Sequence, residues 1–514
     1  MHENSARRGS FSPFRIPLSS ASACLYSLFR RLKQREGRFA FSSSTTPART
    51  GFTIAQLCAL LALLILPGCA TRDYDATELT QKLMPQSEAL ALWGVDRDWW
   101  KGYADAQLNA LEEQALANNT DLAKSAISVN KALYQARRIG ADLVPTFTAG
   151  ADASRSKNLD SGNSGDPSYG ADLGISYELD LWQRLRNETS AAEWTLKATE
   201  QDLETARLTL TAGVADAYFN WRYLQEALNL TEASLKNYEQ ILTIAEDRNK
   251  LGKTDGLEPL NARQAVLSAQ NSLMTYQTDL KTIEQNLRDL LNIGPDETLN
   301  LTPSSLLDME SDGPNLNVPL AALSLRPDVR AAEYRLQSAF RSREATEASL
   351  YPSITVGATL STSSDTVGTM FNIPFLGGNI KINLPFLQWN TLRWDVKTSE
   401  AEFEEAKLDL ENAVNTALNE VDAQYFGYEK TLEQVANMRR ELEADIRAAA
   451  YHESRWKSGA GELEDWLSAL NTCYSSRISL IKGKYDLISR ENAIYRAMGG
   501  RLTEHPQSSA TVMN

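Results

Sequence analysis

The chain repeats itself at a constant offset of 207 residues, and this repeat limits its possible folds more than any other feature. Pro145 pairs with Pro352, Gly150 with Gly357, Trp182 with Trp389, and Leu185-Arg186 with Leu392-Arg393. Tyr218-Phe219 pairs with Tyr425-Phe426, Gly252 with Gly459, and Ser272-Leu273 with Ser479-Leu480. A register kept without a gap across so long a span indicates a duplicated unit. The copies lie near 93–300 and 301–498.

Each copy has the same order of periodicities: a helical stretch, two segments of period two, a very long helical stretch, a glycine and another helix. In the first copy the opening helical stretch, 105–142, ends where Val144-Pro145 forbids its continuation. From Asn187 to Lys250 there is no proline and one glycine, Gly213, among apolar residues such as Leu196, Leu203, Leu210, Val214 and Tyr218. A helix of that length extends ~95 Å, and its counterpart from Asn390 to Lys457 is at least as long. Such lengths call for coiled-coil packing. The flanking helices, 105–142 and 257–291, together match one long helix. Each copy is therefore expected to be a strand hairpin, about 144–181 or 352–388, carrying a long helical hairpin that turns near 252 or 459.

The period-two segments are clean. Leu173, Ile175, Tyr177 and Leu179 alternate with polar residues, as do Ile354, Val356, Ala358 and Leu360, and again Ile380, Ile382, Leu384 and Phe386; Phe147, Ala149 and Ala151 give a weaker version. Alternation means one apolar and one polar face per strand. That face could cover a soluble core, with its polar side in water, or meet lipid in a barrel whose polar side lines a lumen. The strands alone leave both open.

The N-terminal region favours the membrane. The apolar run from Thr53 to Leu66 is too short to cross a bilayer and reads as the apolar core of an export signal. Leu66-Pro67-Gly68-Cys69 resembles the lipobox of bacterial lipoproteins, which implies cleavage before Cys69 and acylation, including palmitate, of that cysteine; a buried helix with a chance cysteine is the alternative. Ala70 follows Cys69, where an Asp would imply retention at the inner membrane. The Ser/Arg-rich residues ahead of the signal are longer than an ordinary leader, which suggests a natural start further downstream.

Composition then narrows the function. Residues 1–68 hold nine Lys/Arg and two Asp/Glu, so their removal takes the formal net charge from −14 to −21, the wrong sign for a nucleic-acid partner. Cys24 and Cys58 would leave with the signal, Cys69 would take lipid and Cys473 would have no partner, so no disulfide framework exists. Only His452 and His505 remain, too few for a His-based catalytic or metal centre, and no Walker loop or cofactor motif is present. No enzyme activity, cofactor or metal is expected.

Four strands per chain cannot close a membrane barrel, because single-chain barrels begin at about eight and open edges are not tolerated in lipid. Two or three chains would be needed.

In this order of elements the sequence resembles the TolC-type outer-membrane efflux factors, and among them the lipoprotein branch, over about Trp93 to Gly500. The resemblance is carried by the duplication, by "RPDVRAAE" from Arg326, by the A-x-L-x-P entry to the first strand of each copy, and by "RNKLGKTDGLEPLNA" and "SRWKSGAGELEDWLSA" at the helix tips. It implies a mainly α homotrimer with a small β part. Twelve strands, four per chain, would form a transmembrane β-barrel above a long α-helical barrel of coiled helices. Residues 1–68 would be removed, 69–104 would form a lipid-anchored segment of an equatorial collar, 105–300 and 301–498 the two repeats, and 499–514 a polar tail. The collar would also take in 292–325 and the C-terminal end. The implied function is the passive exit duct of a tripartite efflux or secretion system in a Gram-negative outer membrane. Its partners would be a periplasmic adaptor, an inner-membrane transporter reached through it, and outer-membrane lipid. A non-conducting strut across the periplasm is the competing reading.

The resemblance also assigns the helix tips. Gly252 and Gly459, with Leu251, Lys253 and Ser458, mark the turns where adaptors dock. Glu258 and Asp465 stand where relatives carry constriction acids, and Asp465 has Glu462 and Glu464 beside it. Three copies around an axis would make a mouth that favours cations; an ordinary solvated face is the alternative for these acids. Ser468 stands where many relatives have a further acid, and Arg455 and Trp456 match the gate's tethering base and aromatic. Helical spacing equally allows Trp456 to pack between helices.

Overall fold

The computed structural model describes residues 73–504 apart from 158–159, 161–164, 310, 312 and 370–373. Cys69, the segment before it and His505 lie outside the described residues. In chain order the elements are α1 (Gln86–Leu92), β1 (Trp93–Asp96), α2 (Ala106–Asn118), α3 (Thr120–Gly140), β2 (Thr146–Ser154), β3 (Ser168–Leu179), α4 (Arg184–Lys250) and α5 (Leu257–Leu291). There follow α6 (Pro327–Ala348), β4 (Ser353–Ser364), β5 (Pro374–Asn383), α7 (Trp389–Lys457), α8 (Leu463–Met498) and β6 (Arg501–Glu504).

The duplication is visible element by element. The long helices α4 and α7 have 67 and 69 residues, about 100 Å each. Beside α4 run α5 and α3, stacked end to end, with the Asn119 side chain donating to the Leu290 carbonyl at their junction (2.9 Å). Beside α7 run α8 and α6, joined by Arg326, whose guanidinium donates to the Ala497 carbonyl (2.8 Å). The α8–α6 column also packs on α4. The helices therefore form a row, with α5 and α3 at one end and α7 at the other.

Two local departures from the sequence reading have simple causes. The expected single helix 105–142 breaks at Asn119, whose side chain caps α3 by accepting from the amides of Asp121 and Leu122 (both 3.0 Å). The last strand, expected to reach Phe386, ends at Asn383, because Pro385 has no N–H for a ladder and opens a short 3-10 turn.

The strands form one antiparallel sheet of order β2-β3-β4-β5, so the two hairpins are joined through β3 and β4. Register sets the apolar positions other than Phe375 on one face, in rows such as Ala149–Leu173–Leu360–Leu376 and Tyr177–Val356–Ile380. The other face is polar, with rows such as Thr146–Ser176–Gly357–Asn379. The apolar face is uncovered: Phe147 is 72 % exposed, Ile380 71 % and Leu376 79 %.

Around the middle of α4 the chain closes on itself. β1 pairs with β6, joining the two ends of the described chain. Trp99, Trp100, Tyr103, Tyr218, Phe219 and Tyr495 form a buried aromatic core there. The buried Arg222 holds the 292–326 connection by donating to the Ser305 carbonyl (2.8 Å) and pairing with Asp105 (2.9 Å).

Candidate functional site

Both tips end in the same motif. After α4 the Gly252 amide donates to the Asn249 carbonyl (2.9 Å) and the Lys253 amide to the Arg248 carbonyl (3.0 Å). After α7 the Gly459 amide donates to Trp456 (3.0 Å) and the Ala460 amide to Arg455 (2.9 Å). This double bond pattern satisfies the last helix carbonyls and needs a left-handed residue, and both glycines comply, at φ 66° and 75°. No atom crowds either glycine, so backbone conformation alone selects the residue.

A buried cluster binds the tips together. Trp456, only 8 % exposed, stacks on Trp466 with ring centroids 4.7 Å apart and packs with Ala245, Ala262, Val266 and Leu467. Arg248, at the end of α4, places its guanidinium 5.4 Å from the Trp456 ring and 3.8 Å from the Glu258 carboxylate. A cation over an indole and beside a carboxylate crosslinks α4, α5 and α7. Trp456 thus sits in the packing position that its helical spacing allowed.

The other sequence-selected residues divide by exposure. Glu462, Glu464 and Asp465 are exposed, the latter two in the first turn of α8, where a carboxylate also meets the favourable end of the helix dipole. Glu464 accepts from Asn261 across the α5–α8 gap (3.3 Å), whereas Glu258 has a side chain only 19 % exposed and faces Arg248. Arg455 closes its own turn by donating to the Ala460 carbonyl (2.7 Å), and the Ser458 hydroxyl donates to the Arg455 carbonyl (2.9 Å). Leu251, Lys253 and Ser458 are exposed at the turns. Arg248, Trp466 and Asn261 escaped the sequence reading, although the repeat offset pairs Arg248 with Arg455 and Asn261 with Ser468.

Above the tips a groove of about 640 Å³ runs between α5 and α8 over α4. Its walls are repeat equivalents: Asn261 with Ser468, Gln264 with Asn471, Ser268 with Ser475, and Ser272 with Ser479. Small polar side chains on both walls leave room for close helix approach. Among the described residues no helix is long and apolar enough to cross a membrane, and no group of His, Cys, Asp and Glu could hold a metal ion.

Comparison with known proteins agrees with this architecture. Residues 111–292 and 318–500 match the family described as outer membrane efflux protein. The chain is 41 % identical to the toxin and drug export protein A of Aggregatibacter actinomycetemcomitans, over 87 % of this chain and 98 % of that one. It is 29 % identical to the pyoverdine export outer membrane protein OpmQ of Pseudomonas putida, over 86 % and 97 %. The open-state MtrE outer membrane channel of Neisseria gonorrhoeae superposes with a TM-score of 0.70 at 25 % identity, over 85 % of this chain and 96 % of that one.

Proposed function

The chain belongs to the outer membrane efflux protein family, and from that membership we propose that it is the exit duct of a tripartite export system, assembled as a homotrimer and anchored through acylated Cys69. Family and fold are those of channel proteins that work with periplasmic adaptors and inner-membrane pumps. One observation carries the reading: a sheet with one uncovered apolar face and one polar face, both of its outer edges open, continues directly into helices about 100 Å long. Apolar side chains at both ends of the helix row, Ile127, Leu260 and Leu267 on α3 and α5, and Leu432 and Ile446 on α7, support ring closure by further copies. Glu462, Glu464 and Asp465 form the acidic periplasmic mouth, with Ser468 behind them. Trp456, Arg455 and Glu258 hold the closed tips. Adaptor hairpins dock at Leu251, Gly252, Lys253, Ser458 and Gly459. A strut would have to cover the apolar sheet face with protein.

Single-channel conductance of the purified protein in planar bilayers tests this. A small cation-selective conductance, with selectivity reduced by Asp465→Ala, is the expected result. Folded protein that inserts but never conducts, even without the tip charges, would favour the strut.

A further inference from the structure

Within one chain the first repeat packs against the second through a defined set of contacts. β3 pairs with β4 so that Gly174 faces Thr359, Ser176 faces Gly357 and Ile175 faces Ala358. The Trp182 indole donates to the Pro352 carbonyl (2.8 Å) and stacks on Tyr351. On the helices below, the Thr195 and Ser338 hydroxyls meet at 2.9 Å. In a ring of repeats the second repeat of one copy must meet the first repeat of the next. Because the 207-residue offset runs through every element, each of these contacts has a calculable counterpart there.

The counterparts are chemically complementary. Shifting Gly174 and Thr359 by the offset gives Lys381 and Asp152, one on each open edge of the sheet. Shifting Thr195 and Ser338 gives Glu402 and Lys131, one at each end of the helix row. All four are exposed and lack a described ion pair within the chain. Two neutral contacts inside the chain thus become two opposite-charge pairs of reversed polarity, a pattern expected where two surfaces must find one register. Trp182 and Pro352 map onto Trp389 and Pro145, and Tyr351 maps onto Val144; Trp389 and Val144 are exposed.

We infer that neighbouring copies of this chain join by repeating the internal interface between repeats, with β5 set on the next copy's β2 so that Lys381 faces Asp152, Asn383 faces Gly150 and Ile382 faces Ala151. Glu402 pairs with Lys131 of the next copy, and the Trp389 indole donates to its Pro145 carbonyl. The inference rests on the homotrimeric reading and adds the register. A slip of two residues would keep the apolar face outward but place Lys381 opposite Gly150 or Ser154, so charge selects among registers that hydrophobicity leaves degenerate.

Cysteine pairs in full-length protein carrying Cys473→Ser test the register in outer membranes under a mild oxidant. Directly opposed strand residues lie within disulfide reach. Lys381→Cys with Asp152→Cys should give crosslinked multimers on non-reducing gels, and Asn379→Cys with Asp152→Cys, one slip away, should give few. Preferential crosslinking of the slipped pair, or of neither pair in protein that remains trimeric by native size, overturns the register. A monomer by native size removes the trimeric reading itself. On the helices, Lys131→Glu should weaken the trimer and Glu402→Lys added to it should restore the trimer; a double variant no better than the single one overturns that contact.

Discussion

Trp456 and Trp466 stack face to face, 4.7 Å between ring centroids and 27° between planes, and Arg248 of the other tip lies over Trp456. The stack lies within the α7–α8 hairpin, and Arg248 ties it to the other turn; Tyr238 and Tyr474 make a second, edge-on ring contact in the same core. Trp456→Ala removes a buried ring from a helix end and should cost about 3–5 kcal/mol locally. Hydrogen exchange should show faster opening of the tip amides, while those near Tyr218 stay protected.

Glu258 and Asp465 occupy equivalent repeat positions but different surroundings, so their removal should have different effects. Glu258→Ala frees Arg248 and should raise open probability with little change in ion selectivity. Asp465→Ala leaves the fastening intact and should reduce cation selectivity while costing at most about 1 kcal/mol, from the lost helix-dipole contact. Reversal potentials and dwell times in planar bilayers separate the two outcomes.

Glu112 of α2 is fully buried with both carboxylate oxygens unbonded among the described residues, and desolvation pushes its pKa up to about 9. The folded chain keeps a proton that the unfolded chain releases above its ordinary value near 4.5. Stability is therefore greatest below that pH and falls as pH rises toward about 9. Glu112→Gln removes this slope. Thermal unfolding from pH 5 to 9 should show the variant gaining on the wild type as pH rises, and parallel profiles would contradict the buried-acid account.

Leu376 is the most exposed apolar residue of the sheet face. Leu376→Arg sets a charge where lipid is expected, at a cost of about 2–4 kcal/mol if it lies near the bilayer midplane. The variant should accumulate outside the outer-membrane fraction. Thr359→Arg, on the polar face, should insert normally and alter conductance.

Much of the architecture can be read from short-range pattern. The absence of proline between Asn187 and Lys250 suffices for a long helix, and Gly252 and Gly459 mark its turns because a left-handed cap favours glycine whatever surrounds it. The break at Asn119 was legible in principle, since asparagine is a strong cap, but helical periodicity on both sides hid it. The tip acids were found by position; the environment that separates Glu258 from Asp465 was not, because it comes from Arg248, a residue of another helix.

The sequence by itself determined the duplication, the lengths of the helices, the alternation of the strands and the place of the turns, since each depends on residues near one another in the chain. Only the tertiary structure decided that Trp456 is packed, that Arg248 joins the two tips, that Glu112 is sealed from water, and that the apolar positions of four strands line up in rows across one face. Those outcomes depend on which distant segments come into contact, and burial, register and the local dielectric exist only once they have.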